Sequence, residues 1–407
     1  MWKINGKVYN LENYLDFHPG GRKILEACKG EDDCTAAFES YHALADKSKI
    51  NKIMKKYEID VCEKDFSFEE NGFYDILSQK VRNYFYTNKK SHHGNLFWIF
   101  KSFLQIITFL FLIYNVYTSE SFLIHIISGI LLGNIFMQLG FCIMHDASHS
   151  AISKNYLINE FLSKLWSSFA LWDDQLWRKH HSFRHHSFTG TKKDPDTIHF
   201  FPFIRKSLLE PTKKYLEINY FKKIFYLFVL VVFPGMWLGQ SISYFRWIFR
   251  KNIWRIEIEN YKHFYFETFL KLSSIYILFF TGRIVAALSF IISLNMTYAF
   301  FILPDHDTYE THLNSVKNLK SDWGEMQVRN SGNFLNDNIL INHLFGGINY
   351  QIEHHLFPTI CHVHFPEVKK IVKKTCEEFN IPYIEHPTLY SAVLSSMKNF
   401  EIISLQK

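Results

Sequence analysis

Three short clusters of histidine are the part of this sequence most able to do chemistry. The chain contains 21 histidines, and eight of them fall beside apolar or aromatic sequence in the segments 145–149, 180–186 and 351–355. Neutral imidazole is a good ligand for iron, zinc or copper. About eight or nine such ligands suit two metal ions rather than one. The clusters therefore predict a two-metal oxidation centre.

The spacing within the first two clusters indicates how their side chains are presented. His145 and His149 are four residues apart, as are His181 and His185. Residues at this spacing lie on one face of a helix. His186 is one residue further, turned by about 100° around the helix axis. Neighbouring side chains can therefore face two different ions.

The third cluster and one isolated histidine complete the candidate set. Gln351 lies three residues before His354 and four before His355, so its side-chain oxygen can fill a histidine-like position. His306 follows directly on an apolar segment. The predicted metal ligands are His145, His149, His181, His185, His186, His306, Gln351, His354 and His355.

Other polar residues near the clusters are expected to support the site or the fold. Carboxylates and amides often accept a hydrogen bond from the second ring nitrogen of a metal-bound histidine. The candidates for this role are Asp146, Asp305, Asp307, Glu353 and Asn342. His180 is interpreted as a supporting or structural residue. Structural roles are favoured for His92, His93, His343, His362 and His364.

The first 60 residues predict a separate electron-transfer domain. His18 begins the sequence His-Pro-Gly-Gly, and His42 follows 24 positions later. Two histidines can hold a haem iron from opposite faces and leave no open coordination position for oxygen. The apolar Ile24 and Leu25 could wall the haem pocket. This segment resembles the cytochrome b5 family, which implies a b-type haem with His18 and His42 as its axial ligands.

Two alternatives for the start of this domain stay open. Cytochrome b5 domains usually carry a further strand and helix ahead of the position of Trp2. The domain is therefore expected to be shortened, or the sequence to lack its start. Residues 61–94 are expected to form a polar linker with a short helix, and residues 95–407 to form the second domain.

Long apolar segments predict that this second domain is embedded in a membrane. The segments 96–117 and 122–144 are each long enough for one crossing at about 20 residues per helix, and the joint between them allows only a hairpin. Three more apolar segments follow at 224–249, 266–281 and 284–303. One metal site cannot straddle the bilayer, so 224–249 is interpreted as interfacial or re-entrant. The fold prediction is mainly α, with four spans, a cytosolic histidine-rich cap and a small α+β haem domain; six spans is the alternative.

Composition and charge narrow the class of protein. The net charge of +6 is modest, and the absence of a long basic stripe argues against a nucleic-acid partner. Dispersed lysines and arginines could contact membrane lipid headgroups. The six cysteines show no metal-site spacing and are predicted to be free thiols in a reducing compartment. The N-terminus has no apolar signal-peptide core, so it is expected to stay in the cytosol.

The three clusters in their order resemble the membrane fatty acid desaturases. The resemblance lies in His-Asp-Ala-Ser-His at 145–149, in the segment 177–189 with Asp194-Pro195-Asp196 behind it, and in the segment 346–358. The glutamine of the third cluster and the haem segment look like the front-end subgroup, which inserts a double bond between an existing one and the carboxyl end. The segment 322–327 also resembles this family. Trp177 and the aromatic stretch 199–203 depart from the pattern and leave the substrate open.

The resemblance also implies cofactors, partners and a location. It implies two non-haem irons at the nine ligands, oxygen as co-substrate, and electrons passed from NADH through a separate cytochrome b5 reductase to the haem. The substrate is then a fatty acyl lipid or an acyl-CoA. The location implied is the endoplasmic reticulum membrane, with the N-terminus and the histidine clusters facing the cytosol.

Several alternatives share these features. A hydroxylase or a sphingolipid desaturase could use the same scaffold, and only product analysis separates them. A membrane-tethered haem carrier would leave the three clusters unexplained. A transporter with metal sites would need polar residues within its spans, whereas these clusters lie at span ends. Acyl carrier, chain length, double-bond position and oligomeric state are not determined by the sequence.

Overall fold

The computed structural model describes residues 1–169, 174–198, 204–215, 252–253, 256–257, 269–270, 273, 283–315 and 321–405. Helices dominate this part of the chain, and the strands are short. Three regions pack on one another: a small N-terminal unit, a group of long apolar helices, and a helical region that carries the histidine clusters.

The N-terminal unit combines one sheet with three short helices. Strands β1 (Trp2–Ile4), β2 (Lys7–Tyr9) and β3 (Glu58–Val61) form an antiparallel sheet in that order. The helical elements are a 3-10 turn at Glu12–Phe17, α1 (Arg22–Cys28), α2 (Thr35–Tyr41) and α3 (Lys47–Met54). Its core contains Trp2, Leu11, Leu15 and Met54. The unit is α+β, as predicted.

The segment predicted to be a polar linker contributes to the core of the helical region that carries the histidine clusters. Its helix, α4 (Phe73–Thr87), buries Leu77 and Val81 completely. Apolar residues recur there at helical spacing, and that periodicity favours a packed helix over a free tether. The short helix expected in 61–94 is therefore longer and buried. The boundaries at 60 and 94 stay predictions.

Two long apolar helices follow and form the predicted hairpin. Helix α5 (Leu96–Thr118) begins at Asn95, whose side chain accepts a hydrogen bond from the backbone of Trp98. Helix α6 (Phe122–Leu139) begins at the Ser121 cap. Most of the apolar side chains of α5 are exposed, which suits a helix surrounded by lipid rather than by protein.

The first two histidine clusters lie on short helical elements beyond α6. A π-helix at Gly140–His145 leads into α7 (Asp146–Ser148), and a second π-helix at Arg178–His185 leads into α10 (His186–Phe188). Between them lie α8 (Tyr156–Phe169) and α9 (Asp174–Trp177). Two 3-10 turns, Pro195–Ile198 and Thr212–Lys214, and the hairpin of β4 (Asn252–Ile253) with β5 (Ile256–Glu257) follow.

Helix α11 (Ile284–His306) packs closely along α6. A Cβ added at Gly129 would lie 2.5 Å from the carbonyl oxygen of Ala286, and one added at Gly133 would collide with the carbonyl oxygen of Phe290. Gly129 approaches Ala286, and Gly133 approaches Phe290, four residues further along both helices. Helices α6 and α11 therefore run parallel. The small residues thus allow the close backbone approach that is typical of membrane helix pairs.

Three helical stretches are long and apolar enough to cross a membrane in the part of the chain that the structure describes: Leu96–Thr118, Phe122–Ser148 and Ile284–Asn314. They correspond to three of the four predicted spans. The fourth, 266–281, and the predicted interfacial segment 224–249 lie outside the described residues, apart from 269–270 and 273.

The rest of the described chain forms the framework of the third cluster. Its elements are α12 (Tyr309–Asn314), α13 (Trp323–Arg329), β6 (Asn333–Phe334), α14 (Ile339–Leu344), α15 (Gln351–Leu356), a 3-10 turn at His362–His364, α16 (Phe365–Glu378), β7 (Glu385–His386) and α17 (Leu389–Leu405). Strands β6 and β7 pair in parallel. Trp323, Ile352 and Val372 share one buried core with Leu77 and Val81 of α4.

Candidate metal centre

The structure brings all nine predicted ligands together near the C-terminal ends of α6 and α11. Four of them, His145, His149, His181 and His354, place one ligand atom each within 4.8 Å of the others. A second group at the same spacing contains His185, His306 and His355. Residues far apart in sequence therefore form two adjoining ligand sets, the arrangement that a two-metal centre requires.

Gln351 and His186 fill the space between and beside these groups. Nε2 of Gln351 lies 2.9 Å from Nε2 of His306 and 3.2 Å from Nε2 of His355, so Gln351 belongs with the second group. The ring of His186 stacks on that of His355, with centroids 4.2 Å apart. Its Nε2 also lies 3.3 Å from Nε2 of His181. His186 therefore contacts both groups.

The grouping differs from what the spacing alone indicates. His181 faces the first group and His185 the second, although four residues separate them. His354 likewise faces the first group, whereas Gln351 and His355 face the second. The segment Arg178–His185, which carries both His181 and His185, is a π-helix, whose hydrogen bonds join residues five apart. Short π-helices of this kind are frequent at functional sites.

Four of the predicted histidine ligands contact a neighbouring polar group through Nδ1. His149 faces the Tyr41 hydroxyl at 2.8 Å, and His185 faces Asp194 Oδ1 at 3.1 Å. Nδ1 of His306 lies 2.9 Å from the carbonyl oxygen of Asn330, and Nδ1 of His355 lies 2.9 Å from Gln327 Oε1. Such outer partners fix the ring orientation of a histidine that binds metal through its other nitrogen.

Burial keeps most of these imidazoles neutral. Removal from water lowers the pKa of His149, His181 and His354 well below the usual range, and a neutral ring is the form that binds metal. His185 differs. Burial lowers its pKa, but the Asp196 and Asp194 carboxylates outweigh burial and raise that pKa to about 9. The two carboxylates place negative charge next to the second group.

Two of the residues expected to support a metal ligand, Glu353 and Asp146, contact other residues instead. Glu353 accepts hydrogen bonds from Asn333 and Tyr383, each at 2.8 Å, and so ties α15 to its framework instead of contacting a predicted ligand. Asp146 lies 2.6 Å from Nδ1 of His362. The prediction that Glu353 supports a metal ligand is therefore wrong, because its partners are Asn333 and Tyr383. Asp146 supports a histidine outside the metal groups.

The remaining acidic and amide candidates also form no hydrogen bond with a predicted ligand among the described residues. Asp307 forms an ion pair with Lys206 at 2.7 Å. Within the described residues, the side chains of Asn342 and Asp305 are buried without a hydrogen-bond partner. Asp305 nevertheless lines a cavity of about 40 Å³ beside His145, His306 and Gln351.

The histidines expected to be structural lie outside the two ligand groups. His180 pairs with Asp196 at 2.8 Å. His343 packs against the ring of Phe97, and Nε2 of His364 lies 2.9 Å from the carbonyl oxygen of His93. His92 and His93 line a cavity that belongs mainly to the N-terminal unit.

The small cavity beside the ligands has an apolar wall built from helix ends. Phe141 and Met144 contribute from the π-helix after α6, and Tyr298 and Ile302 contribute from α11. Trp177 stacks on His181, with ring centroids 4.4 Å apart. An apolar wall facing a metal group can hold a methylene chain and keep water away.

The N-terminal unit contains a second candidate site. His18 and His42 line a cavity of about 570 Å³ together with other residues of this unit and of neighbouring segments. This volume lies within the range of about 300–1,000 Å³ typical of cofactor pockets. The ring centroids of the two histidines are 6.1 Å apart. Metal–nitrogen bonds of about 2 Å on both sides of an iron, with ring radii added, give nearly that separation.

The hydrogen bonds of these histidines also fit axial ligation. Nδ1 of His18 lies 3.3 Å from the carbonyl oxygen of Gly21, and Nδ1 of His42 lies 2.7 Å from that of Phe38. Each Nε2 is thereby left to bind iron. Burial and the neighbouring His42 lower the pKa of His18 to about 4, so this ring is neutral at pH 7. The residues present fit a haem.

Sequence reasoning missed most of the outer partners. Tyr41 and Asn330 lie in no motif, and each contacts its histidine across more than 20 residues. Thr189 lies at the end of the segment 177–189 that carried the family resemblance, but no role was predicted for it. Asp194 and Gln327 lie inside segments that carried the family resemblance, but the spacing gave neither of them a role. The six cysteines are free, as predicted.

Comparison with known proteins agrees with this geometry. The fatty acid desaturase family matches residues 120–387, and the cytochrome b5-like haem/steroid-binding domain matches residues 1–63. The chain is 27% identical to an acyl-lipid (8-3)-desaturase of Physcomitrium patens, across 99% of this chain and 88% of the relative. It is 27% identical to the acyl-lipid (8-3)-desaturase of Mortierella alpina, across 99% and 93%.

A third relative covers a smaller share of this chain. The sn-1 linoleoyl-lipid 6-desaturase of Synechocystis is 26% identical, across 82% of this chain and 96% of the relative. The family match covers more than half of the chain and includes the three histidine clusters. The chain therefore belongs to the fatty acid desaturase family and carries an N-terminal cytochrome b5-like domain.

Proposed function

We propose that this protein is a front-end acyl-lipid desaturase that uses oxygen and draws electrons through its own haem domain. The observation that carries the proposal is the convergence of nine ligands from three clusters and His306 into two adjoining groups. The names of the relatives, acyl-lipid (8-3)-desaturases and a linoleoyl-lipid 6-desaturase, support an acyl-lipid substrate. Front-end specificity rests on these relatives and on the fused haem domain.

The nine side chains hold two iron ions. Two irons would supply oxygen activation and the removal of two hydrogens from adjacent methylene groups. His145, His149, His181 and His354 hold one ion, and the second group of three histidines with Gln351 holds the other; His186 lies between them. Imidazole also suits zinc, but a hydrolytic zinc site has no use for the electrons of a fused haem domain.

The cavity beside the ligands fixes which carbons react. Methylene groups along an acyl chain are chemically alike, so regiochemistry follows from position alone. Met144, Ile302 and Ile348 present apolar surface to this cavity, and their contacts exclude water next to the ligands. A chain seated there would expose a short stretch of carbons to both groups.

Electrons enter through the haem domain. His18 and His42 would hold the haem from opposite faces and so leave no free position for oxygen. Two of the four electrons needed to reduce oxygen to water come from the substrate, and a haem held there would supply the other two, one at a time. A cytochrome b5 reductase using NADH is the proposed donor.

The parallel packing of α6 and α11 supports the four-span topology. His145 at the end of the first helix and His306 at the end of the second lie in one cluster, so both helices end on the same side of the membrane. The second cluster lies on that side too. The chain must then cross an odd number of times between residues 189 and 283, which agrees with 266–281 as one span.

This arrangement supports a cytosolic site. An N-terminus in the cytosol, followed by the α5–α6 hairpin, puts the metal groups on the cytosolic side, where a soluble reductase can reach the haem. We place the protein in the endoplasmic reticulum membrane on this basis.

Product analysis with metal analysis tests the proposal. The gene is expressed in a host without polyunsaturated lipids, candidate acids are fed, and new double bonds are located by mass spectrometry. We expect a new double bond on the carboxyl side of an existing one, with two non-haem irons and one haem per chain. Hydroxylated product would indicate a hydroxylase instead. Folded protein containing zinc alone would overturn the di-iron assignment.

A further inference from the structure

Two consecutive residues of the haem domain face two different sites. His42 lines the haem cavity, and Tyr41, the last residue of α2, places its hydroxyl 2.8 Å from Nδ1 of His149 in the first metal group. Tyr41 also lines the haem cavity. A single peptide unit therefore connects a proposed haem ligand to a side chain that contacts a proposed iron ligand.

The hydrogen bonds around Tyr41 fit a His149 that binds metal through Nε2. In that state Nδ1 carries the proton and donates to the Tyr41 oxygen. The Tyr41 hydroxyl can then donate to the carbonyl oxygen of Ser182, 3.4 Å away. Nε2 of His149 is buried and has no hydrogen-bond partner among the described residues. Each polar atom of the pair is thereby accounted for once a metal is bound.

The surrounding contacts hold Tyr41 in this position. Glu31 of the haem domain forms ion pairs with Lys179 at 3.3 Å and with Arg184 at 2.9 Å, both on the segment that carries the second cluster. Phe183 of that segment is buried in the core of the haem domain. The two domains are thus packed directly on each other at this point.

We propose that Tyr41 couples the haem to the iron centre, both by orienting His149 and by completing a bonded path for electrons. The path runs from His42 through one peptide unit to Tyr41, then through one hydrogen bond to His149. This inference rests on the proposed function and identifies how its two sites communicate.

The transfer along this path is balanced as a one-electron step. A ferrous haem between His18 and His42 loses one electron and becomes ferric, and a ferric iron held by His149 gains it and becomes ferrous. No proton has to move, because Nδ1 of His149 and the Tyr41 oxygen each keep their hydrogen. The reductase, or dithionite in the experiment, supplies the electron to the haem.

The test uses Tyr41→Phe in the full-length protein loaded with haem and iron. This substitution removes the hydroxyl and keeps the ring. Tyr57→Phe is the matched control, because Tyr57 packs inside the same domain against Tyr14 and does not contact His149. The haem is reduced rapidly without oxygen, and its reoxidation by the ferric iron centre is followed by haem absorbance.

We expect Tyr41→Phe to slow this reoxidation about 10-fold or more, because the hydrogen bond that completes the path is lost; loss of an outer partner of a metal ligand commonly costs about 10–100-fold in metal affinity or activity. Haem content, haem spectrum and iron content should match those of Tyr57→Phe. Chemical reduction of the iron centre, which bypasses the haem, should restore product formation in a single turnover. A residue that only supported the fold would not show slow transfer together with an intact bypass.

Other outcomes would overturn the inference. Equal reoxidation rates in the iron-loaded Tyr41→Phe and Tyr57→Phe proteins would remove Tyr41 from the electron path. Loss of iron from Tyr41→Phe would reduce its role to holding His149. A wild-type protein without non-haem iron would instead overturn the proposed function itself, and the metal analysis of that protein distinguishes the two failures.

Discussion

Nε2 of Gln351 lies 2.9 Å from Nε2 of His306, although 45 residues separate them. His306 ends a long apolar helix, and Gln351 begins the short helix of the third cluster. Oε1 of Gln351 is buried without a hydrogen-bond partner among the described residues. A half-turn of the amide brings this oxygen to the two facing imidazoles, where it can ligate an ion. Gln351 thus takes the place of a histidine in the second group.

Gln351→Leu should lose activity and keep its fold. Leucine is close to glutamine in volume but offers no oxygen or nitrogen, so the second ion loses a ligand. We expect a loss of about 10–100-fold in turnover or iron affinity. Gln351→His should keep iron and change the activity, because imidazole is a stronger ligand than an amide. Turnover and bound iron are measured for both variants.

The control is Gln79→Leu, which makes the same replacement at an exposed position of α4. It should match the wild-type protein in iron content and turnover. Wild-type iron content and turnover in Gln351→Leu would remove Gln351 from the metal centre.

The haem domain should be needed for electron delivery and not for iron binding. In His18→Ala or His42→Ala the haem loses one axial ligand, so haem binding should fall sharply. The nine iron ligands come from other segments, so we expect both irons to remain. Absorbance measures the haem and metal analysis measures the iron. A variant that is fully active without added cytochrome b5 would contradict the role given to the haem.

The sequence predicted a set of candidate ligands that the structure brings together, because most of these residues are close along a helix as well as in space. His145 and His149 show this, since their spacing alone indicates a common face, and the structure groups them together. The apolar segments before His145 and His306 predicted two of the helices in the same way. Recurrent spacing is a local property, and local properties can be read along one chain.

The division of ligands between the two groups could not be predicted in this way. His181 and His185 lie in different groups although four residues separate them, and no residue in 178–185 signals the π-helix that carries them. Tyr41 and Asn330 meet their histidines only when distant elements pack together. The sequence predicted only a short helix in 61–94, because charged and polar residues between the buried positions of α4 interrupt its apolar stripe.

Reversal of one charge should loosen the haem domain from the second cluster. Glu31→Lys would place a positive charge against Lys179 and Arg184, and like charges in a packed interface cost several kcal/mol. We expect faster hydrogen exchange in residues 35–42 and a slower supply of electrons, with the haem content unchanged. Glu12→Lys is the control, because Glu12 pairs with Lys29 inside the haem domain. Unchanged exchange in Glu31→Lys would show that the ion pairs do not hold the domains together.

One methyl group added between α6 and α11 should push these helices apart. In Gly133→Ala the new Cβ collides with the carbonyl oxygen of Phe290 and lies 2.7 Å from the backbone nitrogen of Leu294. Backbone atoms of a packed helix cannot move aside cheaply, so we expect a loss of about 1–3 kcal/mol in the free energy of unfolding. The midpoint of thermal unfolding in detergent should fall, and iron should dissociate at a lower temperature because both helices end at the metal groups.

Gly140→Ala is the matched control for this helix pair. A Cβ at Gly140 would meet only Nε1 of Trp166 at 3.7 Å, an ordinary contact. Alanine is also favoured over glycine in a helix by about 0.8–1.0 kcal/mol. Gly140→Ala should therefore be as stable as the wild-type protein or more stable. If Gly133→Ala were equally stable, α6 and α11 would have to lie further apart than the structure places them, and their parallel packing would no longer support the four-span topology.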